Sequence, residues 1–376
     1  MKIPKIHTIL FTNICPLKCN YCNLRAQESW GKFPEYSKEE FFKEIESNLD
    51  ADGFLFTGGE PFVRWEWIKE ALEKYGKKYR YEFNTCGYYF TDEILEFLSH
   101  YNVRLNLSVD GPREIAMWRR PNSNGFQYDY WDKIEPMFPA ILYYFPNTIW
   151  KSIISKRLIP FLPKIYCAAA NYGFRYIHFE LDFEEQPWRA GRGEAWTEED
   201  YKKYELAVEY ITAIMVDMLK DGRRPVIEMR MDDYIRFLMN QNNRGPFTIN
   251  SVNCGIAARR DITSLYNREK AICLDSVCGK EKCSLDSLFK KIEEDYKKGC
   301  PINKDCQFFD FCARFSCLKD NYDCNENCLA PNPEFCNHAR IWGTATLKFL
   351  TIGNEFFEDS PVYQNLLLKY KGGRMR

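Results

Sequence analysis

The sequence predicts an α/β protein, a partial (β/α)6 TIM-like barrel that runs into a C-terminal cysteine-rich extension. Three observations predict it. Over roughly the first 180 residues, short apolar runs of strand character alternate with segments of helical period, six times over. Three of the sixteen cysteines stand together at positions 15 to 22, directly after the first strand-like run. Eleven more crowd between residues 254 and 336, where regular periodicity lapses.

The elements follow in order. Strand character marks Ile6–Ile14, Gly53–Thr57, Tyr81–Asn84, Arg104–Val109, Thr148–Ser155 and Tyr176–Phe183. Helical spacing marks Lys38–Leu49, Trp65–Tyr75, Asp92–His100, Tyr130–Met137 and Leu158–Tyr172. Ser37 and Thr91 each precede a helix with an acid two or three residues on, the signature of a helix start. Strand-then-helix repeats demand a parallel sheet with helices outside it, and place chemistry at the C-terminal strand ends. The organisation expected is a barrel core over residues 1–185, then a mainly helical bridge over 186–250 with a long helix Thr197–Leu219. A cysteine-held module over 251–345 and a tail over 346–376 follow. The module has too little apolar periodicity for an ordinary core, so metal would have to hold it together.

Bulk properties exclude several classes. Apolar residues make up 45% and aromatic residues 16%, so the chain is globular rather than disordered. A net charge of −1 with mixed signs gives no electrostatic footprint for nucleic acid, and the basic run Lys369–Arg376 reads as a solvated tail. No segment reaches the roughly 20 apolar residues that span a bilayer, since Pro139 and Pro146 interrupt the apolar stretch Met137–Trp150. The N-terminus has no cleavage signal, so a cytoplasmic location is expected. A reducing cytosol turns sixteen cysteines from disulfide candidates into metal candidates.

Cys15-Pro-Leu-Lys-Cys19-Asn-Tyr-Cys22 supplies three thiolates and no nearby fourth. Such a set can bind three irons of a [4Fe–4S] cube and leave one iron open to an outside ligand. A zinc site completed by His7 or a distant cysteine is the alternative. The C-x3-C-x2-C run on the first strand–helix loop resembles the radical S-adenosylmethionine (SAM) superfamily. That resemblance implies a catalytic [4Fe–4S] cluster on Cys15, Cys19 and Cys22, with Tyr21 near the adenine of SAM. Gly58-Gly59-Glu60-Pro61, ending the second strand, is similar to the family's GGEP motif, whose backbone and glutamate hold the SAM ammonium. Asn84 in Asn84-Thr85-Cys86-Gly87 is a looser match at the third strand end. Ser108-Val109-Asp110-Gly111 resembles a Ser-x-Asp-Gly pattern whose serine contacts SAM; a turn is the alternative for Asp110-Gly111. The run from Pro112 through Arg119 or Arg120 to Gly125-Phe126 resembles the superfamily members that modify peptides.

The C-terminal cysteines resemble the SPASM extension, which binds two auxiliary [4Fe–4S] clusters. By that resemblance Cys254, Cys273 and Cys317 serve the nearer cluster, and Cys300, Cys306, Cys312 and Cys336 the outer one. The chain departs from the family pattern: Arg268 stands where a glycine is expected, Cys300 replaces a missing closer partner of Cys306, and four residues separate Cys312 from Cys317. Cys278, Cys283, Cys324 and Cys328 are left over, and one of them can complete a set. A structural zinc module is the alternative, because thiolate spacing alone does not separate the metals. Cys86 and Cys167 read as small buried residues, and no histidine carries a catalytic assignment.

The resemblance implies an oxidoreductase that cleaves SAM reductively and uses the 5′-deoxyadenosyl radical to abstract hydrogen from a ribosomally made peptide. The product is a thioether or carbon–carbon cross-link, or a similar oxidation. Formylglycine formation of the anaerobic sulfatase-maturase kind, or small-molecule dehydrogenation, is a second possibility. A non-catalytic iron–sulfur or zinc carrier is a third. Expected partners are a peptide or protein substrate and an electron donor such as flavodoxin or ferredoxin. The first barrel strand starts almost at Met1, so a separate leader-binding protein is expected, or docking of the leader on barrel and extension.

Overall fold

The computed structural model describes residues 6–22, 35–121, 129–182, 196–239, 262–263, 270–271, 285–315, 327–331 and 333–371. The chain divides into two compact units, one built from residues 1–155, 164–193 and 260–271, the other from 156–163, 194–259 and 272–376.

Six strands form the sheet of the first unit: β1 (Ile6–Thr12), β2 (Gly53–Gly58), β3 (Arg80–Thr85), β4 (Val103–Ser108), β5 (Ile149–Ile154) and β6 (Tyr176–Leu181). They pair in sequence order, and every pair is parallel. Helices α1 (Lys38–Glu46), α2 (Trp65–Tyr75), α3 (Asp92–Ser99), α4 (Arg113–Arg119), α5 (Tyr130–Ile134), α6 (Phe138–Tyr144) and α7 (Leu162–Asn171) fall in the crossovers between successive strands. Parallel neighbours need such crossovers, and the alternation of periods two and 3.6 in the sequence anticipates them.

Local chemistry starts the helices where expected. Ser37 Oγ accepts from Glu40 N at 3.2 Å while the Glu40 carboxylate accepts from Ser37 N at 2.8 Å, a reciprocal cap on α1. Thr91 caps α3 through Ile94 N. Pro139 sits in the first turn of α6, where its missing N–H costs nothing, so a stretch that reads as interrupted becomes a helix.

An aromatic layer joins α1 to the sheet. Phe11, Phe41, Phe54, Phe56 and Phe83 are all fully buried, and the rings of Phe11 and Phe41 lie 4.7 Å apart. Each contributes about 2–3 kcal/mol by leaving water. The first strand stops at Thr12, two residues short of its apolar run, after a register shift against β2 between Leu10 and Thr12. Beyond it the chain is diverted: Asn13 N donates to Glu35 at 2.8 Å, and Ile14 N to Thr12 Oγ1 at 3.2 Å.

The second unit holds the two-residue strand β7 (Ile227–Glu228) and mostly helices: α8 (Glu198–Lys220), α9 (Met229–Met239), α10 (Leu285–Tyr296), α11 (Phe309–Phe315), α12 (Pro333–Phe356) and α13 (Pro361–Lys371). Thr197 and Asp200 cap α8 reciprocally. Tyr204 on α8 hydrogen-bonds His338 Nδ1 at 2.9 Å and accepts from Trp342 Nε1 at 2.7 Å, which fixes α8 on α12. The end of the chain differs from its expectation as a solvated tail. Residues 361–371 are helical, and Lys369 and Tyr370 reach the buried Asp232 of α9 at 2.6 and 2.7 Å. A buried carboxylate needs counter-charge, which the composition of a basic tail does not reveal. Among the described residues no helix is long and apolar enough to cross a membrane.

Candidate active site at the strand ends of the parallel sheet

The C-terminal ends of β1 to β4 carry the residues singled out in the sequence. The loop after β1 bears Cys15, Cys19 and Cys22, and it is clamped from two sides. Gly59 N donates to Thr12 O at 2.7 Å and Glu60 N to Ile14 O at 2.8 Å, so the end of β2 fixes the entry to the loop. A Cβ on Gly59 would lie 2.2 Å from Ile14 O, and one on Gly58 2.4 Å from Thr12 O. Gly58 also has φ +129°, which side-chain-bearing residues avoid. Paired glycines are therefore what this approach requires. On the other side Lys18 N donates to Pro121 O at 2.6 Å, Asn20 N to Arg119 O at 3.0 Å, and Asn20 Nδ2 to Trp118 O at 2.9 Å.

Within the loop the three thiols act electrostatically on one another. Burial pushes the Cys15 thiol up to about 12, with the nearby Glu60 carboxylate adding to the shift. Burial raises Cys19 as well, against the pull of Arg120, whose Nη1 donates to Cys19 Sγ at 3.5 Å. Three mutually close, half-buried thiols with one guanidinium beside them fit an iron–sulfur centre, which takes thiolates and releases their protons.

Glu60 is 1% exposed, and its carboxylate is engaged by the chain itself. It accepts from Thr85 Oγ1 at 2.6 Å, Cys86 N at 2.7 Å and Phe62 N at 3.2 Å. Burial raises its pKa, and these hydrogen bonds oppose the rise. The glutamate thus ties the end of β2 to the end of β3. Cys86 is buried, as its isolation in sequence suggests, while Cys167 is only half-buried.

Asp110, wholly buried, organises the end of β4. It accepts from the Tyr21 hydroxyl and from Ile153 N at 3.0 Å, and pairs with Arg120 Nε at 2.9 Å. The Arg119 and Arg120 guanidinium carbons stand 4.2 and 5.4 Å from the centre of the Tyr21 ring. Arg119 also donates to Ile153 O at 2.7 Å and Ser155 Oγ at 3.1 Å. Asn84 and Ser108 stand one strand apart: Asn84 Oδ1 accepts from Asn106 Nδ2 at 3.0 Å, and the Ser108 carbonyl accepts from Tyr130 at 2.7 Å. The two arginines, Thr85 and Tyr130 carry no individual assignment in the sequence. Only the Arg-Arg pair is signalled, by lying within the run that follows Asp110-Gly111.

In the second unit Cys300, Cys306, Cys312 and Cys336 act electrostatically on one another. Cys312 belongs to a buried core with Tyr234, Phe237, Phe308, Phe311 and Ala339, against which Cys306 packs. Cys254, Cys273 and Cys317 lie outside the described residues, as do Cys278, Cys283 and Cys324. Among the described residues no three His, Cys, Asp or Glu side chains converge on one metal ion. A cubane sets its thiolates on separate irons and needs no such convergence.

A model of the radical SAM superfamily matches residues 9–135, the stretch that carries the three-cysteine loop and the ends of β1 to β4. Residues 9–135 carry a radical SAM domain. Enzymes of this superfamily use a [4Fe–4S] cluster and SAM. Among curated proteins, the cysteine-type anaerobic sulfatase-maturating enzyme of Clostridium perfringens is 25% identical over 179 residues, 44% of this chain and 48% of its own. The radical SAM cyclopropyl synthase TigE of Paramaledivibacter caminithermalis is 26% identical over 140 residues, 32% of this chain and 30% of its own. The chain therefore spans about half or less of the curated relatives it matches. Native anSMEcpe with bound AdoMet superposes with a TM-score of 0.63 at 18% identity, covering 93% of this chain and 99% of that one. Streptococcus suis SuiB bound to S-adenosylmethionine gives 0.52 at 12% identity, over 89% and 77%. The shared fold is an α/β architecture built on a parallel sheet, and this chain's C-terminal region is cysteine-rich.

Proposed function

We propose that the chain is a radical SAM enzyme that abstracts hydrogen from a side chain of a ribosomally made peptide or protein and so installs a cross-link or similar oxidation. The observation that carries this reading is the clamped loop. Cys15, Cys19 and Cys22 are held by the glycines ending β2 and by the carbonyls of Trp118, Arg119 and Pro121, beside Arg120 and Asp110. A [4Fe–4S] cluster on these three thiolates, with SAM at its open iron, supplies the radical that removes an unactivated hydrogen.

The chain's own residues supply binding and orientation. The backbone of Gly58-Gly59-Glu60, rigid through its bonds to Thr12 and Ile14, faces the SAM ammonium in this assignment, with the Glu60 carboxylate anchoring it from behind. Tyr21, held by Asp110 and lying beside two guanidiniums, offers its ring to the adenine. Asn84 and Ser108 complete the strand-end pocket. Cys300, Cys306, Cys312 and Cys336 hold an auxiliary cluster, and Cys254, Cys273 and Cys317 are assigned to a second. Such clusters suit removal of an electron from an oxidised substrate, or binding of a substrate thiolate. A flavodoxin or ferredoxin is the proposed electron donor, with a separate leader-binding protein or the chain itself presenting the peptide.

Formylglycine formation is the second reading, favoured by the likeness of 44% of the chain to a cysteine-type sulfatase maturase. Co-expression with candidate peptides and mass spectrometry separates the two. A cross-link removes a pair of hydrogens from the peptide, whereas formylglycine replaces a cysteine thiol by an aldehyde. Release of 5′-deoxyadenosine without any change in every peptide offered would count against both.

A further inference from the structure

Arg230 is a cation of the second unit that the reading above leaves without a role. It is the second residue of α9, where Glu228, wholly buried, accepts from Arg230 N at 2.5 Å and Met231 N at 3.2 Å. This cap fixes where the Arg230 side chain leaves the helix. Its guanidinium carbon stands 5.3 Å from the centre of the Phe335 ring. Phe335 precedes Cys336 and packs against the same core that buries Cys312 and flanks Cys306. Arg230 Nε is buried and meets no hydrogen-bond acceptor among the described residues. A buried guanidinium N–H is rarely left without an acceptor, and this one lies where the chain gathers four cysteines.

We infer that Arg230 is a positioning residue for the cluster on Cys300, Cys306, Cys312 and Cys336, donating an N–H to a ligand thiolate and holding the reduction potential of that cluster up. The inference rests on the auxiliary-cluster assignment proposed above. Thiolate sulfurs are anionic acceptors, and hydrogen bonds to them raise cluster potentials. Reduction adds one electron and one negative charge, which a neighbouring guanidinium stabilises. Arg230 and Cys312 are close enough to act on each other electrostatically.

The test uses the full chain with Cys15, Cys19 and Cys22 replaced by Ala, reconstituted without oxygen and reduced with dithionite, so that only auxiliary clusters contribute. With arginine labelled by 15N in its guanidinium, pulsed EPR is expected to show a 15N coupling on the signal that Cys312→Ser removes. Arg230→Met is expected to lower the midpoint of that signal by a tenfold change in the reduction equilibrium, about 59 mV for one electron, with iron content unchanged. Arg230→Lys should recover part of the potential but not the coupling. Absence of the 15N coupling in the labelled parent chain overturns the role of Arg230, whatever the variants do. So does an unshifted midpoint in Arg230→Met. If Cys312→Ser instead leaves iron content and every signal intact, the cluster assignment itself fails and the inference falls with it.

Discussion

The Tyr21 hydroxyl donates to the Asp110 carboxylate, joining the cysteine loop after β1 to the end of β4 across 89 positions of sequence. Asp110 also balances Arg120, and both arginines lie against the Tyr21 ring. The residue before the third cysteine is thereby held in place by charge and ring contact together. Replacing Asp110 by Ala leaves a buried guanidinium uncompensated and should cost about 3–5 kcal/mol. Tyr21→Phe keeps the ring and the Arg120 pair, so a loss of about 1–2 kcal/mol is expected. Urea unfolding of the cluster-free chain checks both. Equal losses for the two variants would mean that the Asp110–Arg120 pair adds nothing of its own.

Glu60→Ala removes the acceptor shared by Thr85, Cys86 N and Phe62 N. Three buried donors lose their partner, which should destabilise the chain by about 1–3 kcal/mol. In the proposed pocket the carboxylate anchors the segment that faces SAM. Release of 5′-deoxyadenosine should therefore fall about 10–100-fold, the usual effect of removing a group that orients a cofactor ligand. Unchanged cleavage would sink the pocket assignment.

Gly59→Ala puts a methyl where Ile14 O stands 2.2 Å away, on the stem of the cysteine loop. The carbonyl must move, and overpacking of this kind costs about 1–3 kcal/mol. Because the displaced strand leads directly to Cys15, iron retained on the three-cysteine loop after reconstitution should drop, read by iron analysis in a chain whose C-terminal cysteines are replaced. Gly76→Ala is the control for lost stability alone: its φ of +67° strains any side chain, but no atom lies within 4 Å of its Cβ position and it stands outside the cysteine loop, so iron retention should hold.

Much of this was legible in the sequence because it rests on local signals. Alternating periods mark β1 to β6 and their helices, Ser37 and Thr91 mark helix starts, and the three cysteines with the following Gly58-Gly59 mark one edge of the sheet. What escaped is long-range. Nothing near Asp110 in sequence shows that Tyr21 and Ile153 N would engage its carboxylate, and nothing near Glu60 points to Thr85. The same holds for Lys369: a lysine in a basic tail reads as solvated until a buried acid elsewhere demands it. Partnerships across a sheet or between helices are set by burial, and burial is a property of the assembled layers rather than of a sequence window.

That buried acid gives the last prediction. Asp232 is 2% exposed and meets Lys369 Nζ at 2.6 Å, Tyr370 at 2.7 Å and Arg236 Nε at 2.7 Å, so α9 and α13 are joined through one carboxylate. Lys369 and Arg236 hold its pKa below the ordinary aspartate value despite the burial that raises it. A depressed carboxylate stabilises the fold at every pH above its unfolded value of about 3.9, and that contribution disappears as pH falls through the lower folded value. Asp232→Ala should therefore lose about 3 kcal/mol at pH 7, the lower end for a buried pair, because Lys369 and Arg236 remain partly solvated. Below pH about 4 the stabilities of parent and variant should converge. Urea titrations at several pH values measure this, and a difference that stays constant into acid would show that Asp232 contributes packing rather than charge.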